Sequence, residues 1–74
     1  MFKMIILFVG LLNGDGAQVT LTSNTLYSTY KDCIEEVKSD KVSKDIDTYL
    51  STLKDLGYEI EIVKTDCEDL STRL

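Results

Sequence analysis

The chain has 74 residues, no proline, tryptophan or histidine, and 43% hydrophobic residues, which allows a single domain over residues 1–74 with a thin core. The missing histidine removes the usual general base near neutral pH and the commonest metal ligand. Eight basic against thirteen acidic residues give a net charge of −5, which disfavours binding to a phosphate backbone; a multidomain enzyme, a typical zinc finger and a basic nucleic-acid reader are excluded.

Charge is distributed unevenly. Lys3 and Asp15 are the only charged residues before Lys31, so residues 31–74 carry the whole net charge. A nonpolar front part followed by solvated elements accounts for this, and so does an acidic face that docks on a basic partner surface.

The run Met4-Ile5-Ile6-Leu7-Phe8-Val9, continued by Gly10-Leu11-Leu12, is the strongest feature. It falls far short of the roughly 18 apolar residues that span a bilayer, so no membrane span is expected. It reads as a strand covered on both faces, because apolar side chains run continuously instead of alternating. It also reads as the apolar core of a secretory signal over residues 1–16, with Lys3 as the charged lead and cleavage near Gly16 or Ala17. Asn13-Gly14-Asp15-Gly16 is a turn signal, and Gln18-Val19-Thr20-Leu21-Thr22 then alternates, with Val19 and Leu21 on one side. An apolar run, a glycine-bearing turn and an alternating run together make a β-hairpin, which favours the strand.

Apolar residues next recur at helical spacing at Leu26, Tyr30, Cys33, Ile34 and Val37, with Ser28 or Thr29 as the cap. A second series is Val42, Ile46, Tyr49, Leu50, Leu53 and Leu56, stopped by Gly57. On one continuous helix the two series would centre roughly 140° apart. Two helices, or one sharply kinked, are therefore expected, with the break in Lys38-Ser39-Asp40-Lys41 and Ser43 as a second capping candidate. The four tyrosines fall at half-buried positions in this scheme. Tyr58-Glu59-Ile60-Glu61-Ile62 alternates as a strand, with Tyr58, Ile60 and Ile62 facing the helices and Glu59 and Glu61 facing water. Residues 66–74 read as a short helical turn or a frayed tail. The result is an α+β fold, a small two-layer sandwich of order β-β-α-(α)-β, with a three-stranded sheet and the first strand central.

Motifs for chemistry fail one by one. Aligning Asn13-Gly14-Asp15-Gly16 with a calcium loop puts Leu11 and Thr22 where oxygen ligands, above all a terminal glutamate, are required. Gly14-Asp15-Gly16 is too short for a dinucleotide fingerprint. Glu35-Glu36 and Asp45 with Asp47 offer carboxylates that splay apart on a helix. Serine and threonine lack a base to activate them. No catalytic residue, metal or cofactor is expected. Cys33 and Cys67 are too far apart in sequence for a redox pair, and two thiols without histidine make a poor zinc site. They are candidates for a disulfide whose loop of about 35 residues would stabilise by on the order of 3–4 kcal/mol, or small core residues in a reducing cytosol.

The opening Met1-Phe2-Lys3-Met4-Ile5-Ile6-Leu7-Phe8-Val9, the glycine-bearing turn, Tyr30 with Cys33, and the late Cys67 resemble a loose group of very small, uncharacterised proteins encoded by tailed bacteriophages. The resemblance covers about half the chain and brings no catalytic residues. It implies an accessory protein that acts by binding a host protein. The function expected is thus a small acidic, non-enzymatic protein-binding module, cytoplasmic, that modulates a larger partner through the sheet face around Glu59 and Glu61 or through a sheet edge. The alternatives are a homo-oligomeric assembly subunit, using a sheet edge or the face of Leu50, Leu53 and Leu56, and an exported protein with a disulfide.

Overall fold

A computed structural model describes residues 1–70. The elements are β1 (Phe2–Leu12), β2 (Asp15–Tyr27), α1 (Tyr30–Val37), α2 (Asp40–Asp55) and β3 (Tyr58–Asp69). They form an antiparallel three-stranded sheet in the order β2-β1-β3, with two helices on one face. This is the expected α+β sandwich with the first strand in the middle.

Local chemistry accounts for each junction. Asn13 (φ 53°) and Gly14 (φ 86°) are both left-handed, the geometry a two-residue hairpin needs to match strand twist. Thr29 Oγ1 accepts from Asp32 N–H at 3.1 Å and caps α1. Ser39 Oγ accepts from Val42 N–H at 3.3 Å and caps α2; such a cap contributes about 1 kcal/mol. The helix break therefore falls where expected, but Ser39 is the cap and Ser43 lies inside α2. Gly57 (φ 98°) follows α2 in the left-handed conformation that ends many helices.

The core lies between the sheet and the helices. Met4, Ile6 and Phe8 of β1 point into it and meet Cys33, Val42, Leu53 and Cys67. Phe8 is fully buried, and its ring stacks on Tyr49 of α2 at 5.9 Å between centroids. Phe2 meets Tyr30 edge-on at 5.7 Å. These contacts fix the ring faces while Tyr30 and Tyr49 remain exposed overall, so only Tyr27 and Tyr58 are half-buried as expected.

Several expectations need correction. β1 is covered on one face only; Ile5, Leu7, Val9 and Leu11 point away from the helices and are half-buried. Leu26 belongs to β2, not to α1, because the Thr29 cap starts the helix after it. Leu56 follows the last turn of α2 and is exposed. β3 does not alternate throughout. Val9 pairs with Ile62 and Gly10 with Ile60, so Glu61 is an extra residue that bulges out of the ladder. The bulge turns Ile62 to the open face, away from Tyr58 and Ile60. Residues 66–69 are strand instead of turn or tail, because Phe2–Ile5 of β1 pairs with them; Leu70 N–H then donates to Met1 O at 2.9 Å, and the rest of that expected tail, residues 71–74, lies outside the described residues.

Candidate functional site

One face of the sheet is covered by no described element. Its centre is the row Ile5, Leu7, Val9 and Leu11. The register sets Thr22, Thr20 and Gln18 of β2 beside that row on one flank, and Asp66, Lys64 and Glu59 of β3 on the other. Ile62, 47% exposed, lies next to Val9 and widens the apolar strip. Glu59 belongs to this face, and Glu61, in the bulge, is also exposed. The face is apolar along its middle, neutral along β2 and acidic in balance along β3.

The other two expected surfaces fare differently. Leu53 is buried in the core and Leu50 is half-buried, so Leu50, Leu53 and Leu56 do not form one open face. Both outer strands are edges. On β3, Glu59, Glu61, Lys64 and Asp66 are exposed and the Glu61 bulge bends the edge, devices that discourage strand addition. β2 carries no charged residue from Gly16 to Tyr27.

Cys33 and Cys67 are joined by a disulfide with a Cα–Cα distance of 6.2 Å. Cys33 is wholly buried on the inner face of α1, and Cys67 sits opposite Met4 in β3. The bridge ties an eight-residue helix, too short to persist alone, to the sheet.

Two shallow grooves flank the core. One, of about 340 Å³, lies where β2 passes the α1–α2 junction; Met4 and Val42 floor it, and Tyr27, Glu36, Lys41 and Asp45 stand around it. Burial of the ring, and after it the Glu36 carboxylate, raises the Tyr27 phenol above its ordinary value of 10.0. The phenol is thus held in its protonated form. Beside it β2 is irregular: Lys3 pairs with Leu26 but Ile5 with Thr22. There Ser23 Oγ accepts from Met4 N–H at 3.3 Å and donates to Thr25 O at 2.9 Å, taking over the role of the interrupted ladder. The second groove, of about 350 Å³, is formed by Leu50, Lys54, Tyr58, Glu59 and Ile60.

Among the described residues no group of three or more cysteine, aspartate or glutamate side chains is arranged to hold a metal ion. No described helix is long and apolar enough to cross a membrane. Sequence reasoning missed the open apolar row and Ile62, because a continuous run carries no sign of which face is covered and a bulge has no fixed sequence mark. Comparison with protein-family models, with curated proteins and with solved structures returned no match for this chain.

Proposed function

We propose that this chain is a small acidic, non-enzymatic binding module that docks on a larger protein through its open sheet face. The observation that carries the reading is the apolar row Ile5, Leu7, Val9 and Leu11, extended by Ile62 and bordered by Glu59 and Asp66 with Glu61 nearby. Contiguous exposed apolar surface with a polar border is a common mark of a protein interface. The partner that fits is an apolar patch with basic residues at its rim. The resemblance to phage-encoded proteins makes a host protein the class of partner to seek. Co-purification from the source cell at low salt tests this, with the Glu59→Lys/Glu61→Lys double variant as comparison. Both positions are exposed, so the variant keeps its fold, and its capture of the partner falls at least tenfold. An unchanged yield, or no partner recovered at low salt, overturns the proposal.

The Cys33–Cys67 disulfide favours a second reading, an exported protein, since such bridges persist in oxidising compartments. Cleavage after Gly16 would delete the whole of β1, the central strand. Intact mass of the natively produced chain separates the cases: a product starting at Ala17 would establish signal cleavage.

A further inference from the structure

We propose that β2 pairs antiparallel with β2 of a second copy of this chain, about a two-fold axis at Thr20, to give one continuous six-stranded sheet. β2 pairs with β1 on one side, and no described element pairs with its other side. A strand edge presents a row of backbone donors and acceptors that another strand satisfies. The choice of a second copy rests on charge and on pattern.

Each copy carries −5, all of it after Tyr30. Approach through the helices or β3 sets acid against acid, whereas β2 from Gly16 to Tyr27 is neutral and free of proline. It also lacks the charges that guard β3, and its own irregularity, at residues 23–25, lies beyond the regularly paired stretch from Gly16 to Thr22.

The pattern about Thr20 is self-complementary. With Thr20 opposite Thr20 of the second copy, each Val19 meets the other copy's Leu21 on the helix side, and each Gln18 meets the other copy's Thr22 on the open side. Val19 and Leu21 are half-buried at the margin of the core, and this register covers them further. Threonine–threonine and paired apolar contacts across antiparallel strands are favourable, and a two-fold axis makes each contact occur twice. The dimer sets two open faces side by side without using Glu59 or Glu61, so it goes beyond the proposed docking role and fails or stands independently of it. A contact of a single strand pair is small, so the affinity expected is modest, with Kd between about 10 μM and 1 mM.

Sedimentation of the full chain over about 10 μM to 1 mM provides the first test. The wild type shifts from monomer to dimer across that range. Thr20→Lys, a substitution at an exposed site that sets two like charges face to face at the axis, weakens dimerisation at least tenfold, whereas Glu59→Lys leaves it unchanged. Thr20→Cys then reports the register: under mild oxidation it yields a covalent dimer and Thr22→Cys does not, because only residues at the axis come close enough for a disulfide. A wild type that stays monomeric throughout, or a Thr20→Lys protein that still dimerises as the wild type does, overturns the proposal.

Discussion

Reducing the Cys33–Cys67 bridge removes the only disulfide cross-link between α1 and β3 among the described residues. The two cysteines are 34 residues apart, and constraining a loop of that length in the unfolded chain is worth about 3.8 kcal/mol in the chain-entropy model. A domain of 74 residues has a total stability of about 4–11 kcal/mol, so the bridge supplies a third or more of it. Reduction leaves the buried sulfur atoms in place, unlike substitution, and so isolates the loop contribution from packing loss. Urea unfolding of oxidised and reduced protein, followed by far-ultraviolet circular dichroism, measures the difference. For a slope near 1 kcal/mol/M the midpoint drops by about 3–4 M, which leaves the reduced chain partly unfolded in plain buffer if its starting stability is at the low end. α1 loses structure first, since eight residues do not sustain a helix without tertiary support. A difference below about 1 kcal/mol, or alkylation of both thiols in the unreduced protein, would refute the reasoning.

Gly10→Ala tests the β1–β3 bulge. An added Cβ would collide with the Glu59 carbonyl oxygen and lie 2.7 Å from Ile60 Cα, backbone that cannot step aside. A loss of about 2–3 kcal/mol follows, read as an earlier thermal midpoint; stability equal to wild type would contradict the register. For Tyr27, the fold favours the protonated phenol, so its stabilising contribution is present below the unfolded-state pKa and is lost as pH rises through the folded-state value. Unfolding experiments from about pH 10 upward should show that loss, and Tyr27→Phe should abolish this part of it. Glu36→Gln removes the nearby negative charge and lowers the phenol's pKa, as read by the phenolate absorbance that wild type has and Tyr27→Phe lacks.

The sequence disclosed connectivity better than exposure. The apolar run of Met4–Val9, the Asn13-Gly14 turn and the angular offset between the Leu26–Val37 and Val42–Leu56 series were enough for the element order and the central strand. One-sided coverage of β1 is not legible in sequence because Ile5, Leu7 and Val9 are as apolar as Met4, Ile6 and Phe8, and a continuous run has no period. Leu26 fits the helical spacing of Tyr30 and Cys33, but the threonine- and serine-rich stretch before it extends as strand until Thr29 caps the helix. Ile62 fits the alternation of Tyr58 and Ile60, and only the extra residue at Glu61 turns it over. The acidic residues 66–69 resemble a tail by composition, yet the first residues of β1 require a partner and those four supply it. The open-face row was hidden for the same reason as the one-sided coverage.

Hydroxyl-radical labelling of the folded protein at low concentration, read side chain by side chain along β1 and at Ile62, tests the central claim most directly: that one side of the first strand is sealed and the other is available. Leu7, Leu11 and Ile62 should take up label while Met4 and Phe8, intrinsically more reactive but 8% and 0% exposed, stay protected. Labelling of Phe8 on a par with Leu7, or protection of both sides alike in the monomer, would contradict the account.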